Sequence, residues 1–123
     1  MATVLVADDD ADIRDLVAYK LQQAGHEVVS VADGSAAVTA ARDLVPDLAI
    51  IDVTMPGLSG FQVCAALRAE AATAAIPVIL LSARAHAGDS VTGMTAGAVD
   101  YVTKPFSPRD LVQRVEALLA SGR

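Results

Sequence analysis

The stretch Asp47-Leu48-Ala49-Ile50-Ile51-Asp52-Val53-Thr54-Met55-Pro56-Gly57-Leu58-Ser59-Gly60 decides how this chain is read. Leu48 to Ile51 is an unbroken apolar run of strand length, which suits a strand covered on both faces, as in a parallel sheet. The run ends on a carboxylate, Asp52. Behind it, Met55-Pro56-Gly57 and Ser59-Gly60 are turn and helix-start residues. Open α/β sheets keep their ligand crevice outside the carboxyl ends of the strands, so an acid at this point faces that crevice. The alternative is that Asp52 only ends a strand and caps the turn.

Working outward, Thr3 to Ala7 reads as a short buried strand ending in Asp8-Asp9-Asp10. Asp10 is placed as N-cap of a helix in which Ile13, Leu16, Val17 and Leu21 recur at helical spacing and Gly25 closes the last turn. Glu27 to Val31 is the next strand. Asp33-Gly34-Ser35 then turns into an Ala-rich helix with Val38, Ala41 and Val45 inward, stopped by Pro46. After the central strand, a helix from about Gly60 to Glu70 sets Phe61, Cys64 and Leu67 on its apolar side, and Ala71 to Ala75 reads as a loose connection. Pro77 to Leu81 is a fourth apolar strand ending at Ser82. Ala87 to Gly97 is expected to form a weak, mobile helix, because Gly88, Gly93 and Gly97 share it with β-branched Val91 and Thr92. Val99 to Thr103 is a fifth strand ending at Lys104-Pro105. Ser107-Pro108-Arg109-Asp110 opens the last helix with a capping-box arrangement, and Leu111, Val112, Val115, Leu118 and Leu119 form its buried stripe. Strands alternating with helices predict right-handed βαβ crossovers and a doubly wound α/β sheet, in one domain over residues 1–123.

Composition narrows the function classes. With 54% hydrophobic but only 3% aromatic residues, the core must be built from Val, Leu, Ile and Ala. A net charge of −6 argues against nucleic-acid binding by this chain, since phosphate backbones need a basic face. One cysteine, Cys64, allows no internal disulfide and reads as a small core residue. The first residues carry no basic leader, and no apolar run approaches membrane-spanning length, so a cytoplasmic protein without a membrane partner is expected. His26 reads as a surface residue, and His86 has no companion ligand near it.

All parallel strands point their carboxyl ends one way. The crevice at that edge should collect Asp8 and Asp9 from the first strand, Asp52 from the third, Ser82 from the fourth and Lys104 from the fifth. Three carboxylates that close repel, and at least one pKa should rise unless a cation joins them. A hard divalent ion with oxygen ligands resolves this, with Mg²⁺ the leading candidate. No Cys or His lies near, which argues against zinc. With Mg²⁺ bound, one carboxylate could attack phosphorus while Lys104 and the metal neutralise the phosphoryl oxygens. Asp52 is the best nucleophile because it ends the central strand alone, and Asp8 and Asp9 are better placed as a metal pair.

Several motifs carry a resemblance to a known family. They are Val-Ala-Asp-Asp at Asp8 and Asp9; Asp52 followed by Met55-Pro56-Gly57 and Gly60; Leu-Ser-Ala-Arg around Ser82; and Gly97-Ala98-Val99-Asp100-Tyr101-Val102-Thr103-Lys104-Pro105-Phe106. Along almost its whole length the chain resembles the receiver domain of bacterial two-component response regulators. The resemblance implies a flavodoxin-like (βα)5 fold with a five-stranded parallel sheet in the order 2-1-3-4-5. It implies that Asp52 accepts a phosphoryl group from the phosphohistidine of a sensor histidine kinase or phosphotransfer protein. Asp9, Asp52 and the backbone carbonyl of Thr54 would bind Mg²⁺ directly, with Asp8 acting through water. Ser82 would be the switch hydroxyl, Tyr101 a rotating aromatic and Lys104 the phosphoryl clamp. The helix over Ala87–Gly97, the fifth strand and the last helix would carry the readout to a downstream effector domain or protein. The alternative for Tyr101 is a static strand residue, the usual case for an aromatic; the resemblance alone puts switching ahead.

Two positions flank the phosphoryl group in this family and influence its hydrolysis: Thr54, two past Asp52, and Arg84, two past Ser82. Arg84 would screen the phosphoryl from water, or it is a solvated loop arginine. Val99 replaces an acid common in the family, and no Lys or Arg lies between Arg84 and Lys104. Winged-helix family members dimerise by pairing a basic residue on the fourth helix with acids on the last; Asp110 and Arg114 on the last helix fit, but their cross-subunit partners are missing, so a monomer or a weak phosphorylation-dependent dimer is expected. The expected function is a phosphoacceptor, catalysing only its own phosphotransfer and autodephosphorylation. The alternatives are a Mg²⁺-dependent aspartyl-phosphate phosphatase, which would need an acid where Thr54 stands, and a receiver that docks partners without phosphorylation.

Overall fold

The computed structural model describes residues 2–83 and 96–121. Five short strands form the sheet: β1 (Thr3–Ala7), β2 (Glu27–Val31), β3 (Leu48–Asp52), β4 (Val78–Ser82) and β5 (Asp100–Thr103). Among the described residues four helices accompany them: α1 (Ala11–Gln23), α2 (Gly34–Leu44), α3 (Gly60–Ala69) and α4 (Pro108–Ser121). The strand order is β2-β1-β3-β4-β5 and every pair is parallel, the doubly wound flavodoxin-like arrangement expected from the sequence. The helix expected over Ala87–Gly97 lies outside the described residues except for its last two, as do Arg84 and His86.

Period-two alternation divides the apolar residues between two faces. Leu5, Ala7, Ala49, Ile51, Val78 and Leu80 face α2 and α3, where Ala37, Ala41, Val63, Cys64 and Leu67 close the layer. Val4, Val6, Leu48, Ile50, Ile79 and Leu81 face α1 and α4, against Val17, Leu21, Leu111 and Val115. All five residues of β3 and all five of β4 are buried. Burial on both faces explains why these strands read as continuous apolar runs.

The helix ends are set by local chemistry. Asp10 accepts from the N–H groups of Asp12 and Ile13, and Asp33 accepts from that of Ala36. Ser59 and Gln62 form a reciprocal capping box at the start of α3. At the end of α1, Gly25 has φ +95°, its N–H donates to Gln22 and the N–H of His26 donates to Leu21, a Schellman closure. Ser107 Oγ accepts from the Asp110 N–H at the start of α4.

Four expectations need correction. Leu16 is 44% exposed; α1 buries only Val17 and Leu21, with Ile13 partly covered, a single i, i+4 line that Leu16 lies beside. Val45 is 50% exposed, because the helix stops at Leu44 and Val45 turns into the left-handed region at φ 43°. For a β-branched residue that costs about 1–2 kcal/mol, and it swings the side chain outward. His26 is not a surface residue: its ring is 7% exposed, accepts from the Ala2 N–H at Nδ1 (3.2 Å) and meets Glu116 through Nε2 (3.0 Å). The accepting Nδ1 leaves Nε2 as the donor. The turn over 71–75 is pinned rather than loose, since Thr73 is fully buried and its hydroxyl donates to the Leu67 carbonyl at 2.7 Å.

Arg68 fastens the far end of α3. Its Nε and Nη2 donate to the Gly97 carbonyl at 3.0 and 2.8 Å, and its Nη1 donates to the Ala74 carbonyl at 3.0 Å. No helix among the described residues is long and apolar enough to cross a membrane.

At the near end, Gly60 touches main chain. A Cβ there would lie 2.5 Å from the Asp52 carbonyl oxygen and 2.8 Å from the Val53 Cα, and neither can move without disturbing β3. Gly60→Ala is expected to lower stability by about 1–3 kcal/mol, read as a lower urea midpoint at unchanged m value. An unchanged midpoint would mean that α3 can retreat freely from the strand.

Candidate functional site

The carboxyl ends of β1, β3, β4 and β5 lie along one edge of the sheet, and the register fixes which residues meet there. Ala7 pairs with Ile51, Asp52 with Leu81 and Ser82 with Thr103. Asp8 therefore follows directly on β1 beside the end of β3. Asp8, Asp9 and Asp52 each place a carboxylate oxygen within 4.8 Å of the other two. Asp8 is 0% exposed and Asp52 4%, while Asp9 is exposed.

Lys104 reaches this cluster from β5. Its Nζ lies 3.1 Å from Asp8 Oδ2 and 3.1 Å from Asp52 Oδ1. Burial opposes the lysine's charge, but its hydrogen bonds to Asp8 and Asp52, and their charges, outweigh this and raise its pKa. For Asp52 the balance goes the other way. Burial first, then the charge of Asp8, push it up to about 6, with Asp9 adding to the rise and Lys104 opposing it. One ammonium does not offset the burial of Asp52 beside two further carboxylates. The rise expected from the sequence falls on Asp52, the most central of the three.

Asp8 is held on every side. Its N–H donates to the Val31 carbonyl (3.2 Å), its Oδ1 accepts from the Asp10 N–H (2.9 Å) and its Oδ2 meets Lys104. Its carbonyl accepts from Arg14 Nη1 at 2.9 Å. No motif marks Arg14, although a basic residue one turn into a helix, whose side chain leans back toward the N-terminus, can reach the loop before it.

Ser82 is buried at the end of β4, and its carbonyl accepts from the Lys104 N–H at 2.6 Å. Tyr101 pairs with Leu80 and is half-buried against the α2/α3 layer. Thr54 is exposed, two residues past Asp52. Arg114 is paired with Asp100 on its own chain at 2.6 Å. Cys64 is buried in the core, as expected.

The donor set suits a hard cation. Three carboxylates converge within 4.8 Å, there is no sulfur or imidazole among them, and Asp52 is held toward its neutral form by burial and then by the charges of Asp8 and Asp9. A divalent ion would remove that repulsion. A carboxylate at the end of a central strand, with an ammonium at 3.1 Å, can also act as a nucleophile toward an anionic electrophile whose charge the ammonium shares.

A family model described as the response regulator receiver domain matches residues 4–116. The DNA-binding response regulator MtrA of Mycobacterium tuberculosis is 40% identical over 116 residues, covering 94% of this chain and 50% of that protein. The phosphate regulon transcriptional regulatory protein PhoB of Escherichia coli is 42% identical over 116 residues, covering 94% of this chain and 51% of that one. The chain spans about half the length of the curated relatives it matches. Among solved structures, the receiver domain of the Francisella response regulator 1452 superposes with a TM-score of 0.94 at 33% identity, covering 100% of both chains.

The charge on Asp52 bears on stability. Its pKa is raised in the fold, so its contribution to stability is full below the ordinary value of 3.8 and is lost as pH rises through about 6. At pH 7 the ionised group therefore works against folding. In metal-free buffer Asp52→Asn is expected to stabilise the protein at pH 7 by on the order of 1–3 kcal/mol, with the gain shrinking toward pH 4. Urea denaturation of both proteins at the two pH values checks this.

Proposed function

Because this chain belongs to the response regulator receiver domain family of two-component signalling, we propose that Asp52 is its phosphoacceptor and that a histidine kinase or phosphotransfer protein is its donor. The observation that carries the proposal is the buried Asp8–Lys104–Asp52 arrangement with Asp9 beside it. A carboxylate oxygen of Asp52 forms the new bond to phosphorus. The bond from phosphorus to the donor imidazole breaks, and its electron pair returns to the ring nitrogen. Lys104, already 3.1 Å from Asp52, takes up charge on the phosphoryl oxygens. Asp9, Asp52 and the main-chain carbonyl of Thr54 would hold Mg²⁺ directly, with Asp8 acting through water. When bound, the metal supplies charge neutralisation at the phosphoryl group.

Phosphorylation adds roughly −1.5 to −2 charges and strong acceptor oxygens at one buried point. Ser82 donates to one of those oxygens, and Tyr101 turns into the space the hydroxyl leaves. The surface read by a downstream effector domain or protein includes β5 and α4. Thr54 and Arg84 flank the phosphoryl group and set its lifetime. In this reading the chain catalyses only its own phosphorylation and dephosphorylation, in the cytoplasm. The position where an aspartyl-phosphate phosphatase needs an acid holds Thr54, which argues against that class. With a net charge of −6, the chain itself does not bind nucleic acid.

With Mg²⁺ and acetyl phosphate, the protein is expected to gain the mass of one phosphoryl group, and beryllofluoride is expected to shift amide resonances around Ser82 and Tyr101. Asp52→Asn abolishes both responses; a wild-type protein silent to both reagents would leave only a docking role. Mg²⁺ affinity should also depend on pH. Protons compete for Asp52, whose pKa is about 6 without metal, so the Mg²⁺ dissociation constant rises as pH falls below that value and levels off above it. Calorimetric titrations from pH 5 to pH 8 measure this, and a flat profile would remove Asp52 from the metal site.

A further inference from the structure

The peptide unit joining Asp8 to Asp9 has one hydrogen bond among the described residues. It comes from Arg14, whose Nη1 donates to the Asp8 carbonyl at 2.9 Å. The two acids differ in how they are held. Both carboxylate oxygens and the N–H of Asp8 are engaged, whereas neither the N–H nor the carboxylate of Asp9 has a hydrogen-bond partner among the described residues. The aim of the Asp9 side chain is thus set by its backbone, and its backbone is oriented from one side by the peptide that Arg14 grips. Arg14 is itself well anchored: it lies one turn into α1, its N–H donates to the Asp10 carbonyl at 2.9 Å, and its side chain is half-buried.

We propose that Arg14 is a positioning residue for the divalent-cation site. By holding the Asp8–Asp9 peptide plane it aims the Asp9 carboxylate at the point where Asp8 and Asp52 converge. This rests on the reading of the acidic cluster as a Mg²⁺ site. Arg14 touches neither the metal nor the phosphoryl group in this role. The sign of its effect separates positioning from simple electrostatics. A guanidinium bonded to the main chain of Asp8 repels a cation bound at the neighbouring carboxylates, so if charge were its whole contribution, removing it would tighten Mg²⁺ binding. If it positions Asp9, removing it weakens binding, because an outer partner that orients a ligand is worth about tenfold or more in metal affinity.

The test is direct titration of the full chain with Mg²⁺ alone, by calorimetry and amide NMR, without any phosphoryl donor. Arg14→Met keeps the reach of the side chain and removes both donor and charge; its Mg²⁺ dissociation constant should rise about tenfold, with the largest amide shift changes at Asp9 and Asp10. Arg14→Lys keeps the charge and one donor on a shorter stem and should fall between Arg14→Met and the wild type. Unchanged or tighter binding by Arg14→Met overturns the proposal. Should Arg14→Met fail to fold, as judged by amide dispersion, Arg14→Lys decides: weaker binding than wild type supports the positioning role, and equal or tighter binding overturns it. If the wild type itself binds no Mg²⁺, the reading of the metal site fails and this inference with it; wild-type binding with an indifferent Arg14→Met removes this inference alone.

Discussion

Lys104 Nζ, 3.1 Å from Asp8 and 3.1 Å from Asp52, is the one cation within ion-pair distance of these two buried carboxylates among the described residues. Much of the architecture exists to deliver it. β5 is two strands away from β3, a gap of roughly 10 Å at ordinary strand spacing. The lysine stem crosses that gap over the end of β4, with its own N–H tied to the Ser82 carbonyl at 2.6 Å. Burying two acids without a partner would be prohibitive. The pairing of β4 with β5 is therefore as necessary to the site as the acids themselves.

The site nonetheless remains short of positive charge. Lys104 is held firmly in its charged form, yet Asp52 is still pushed up to about 6. The core tolerates this because its stability comes from elsewhere: two apolar layers on either side of β3 and β4, whose ten residues are all buried. A site that is electrostatically unsatisfied favours whatever brings it positive charge.

The sheet was readable because its central strands are buried on both faces, which writes them as apolar runs, and because acids, a hydroxyl and a lysine stand where those runs stop. Parallel topology does the rest, sending every such end to the same edge. Individual burial was less readable where a neighbour distant in sequence decides it. His26 is covered by Ala2 and Glu116, which are 24 and 90 positions away, and nothing in its local context points to either. Thr73 sits in a polar-looking turn but donates back to Leu67. Val45 departs from its helical stripe because the backbone changes hand at that residue, and spacing alone does not reveal that. Arg14 is less legible for a similar reason: its partner is a main-chain carbonyl, and only its place one turn into α1 hints at the contact.

The two ends of α3 are both fixed, one to β3 and the other to the chain leading into β5. Gly60 presses on the main chain of Asp52 without room for a methyl group, and Arg68 grips the carbonyl of Gly97, three residues before β5 begins. The helix is in effect a strut braced between the strand that ends in Asp52 and the approach to the strand that ends in Lys104. A tilt of that strut would press Gly60 into the main chain of Asp52 or draw Arg68 from the Gly97 carbonyl, so both anchorages hold its angle.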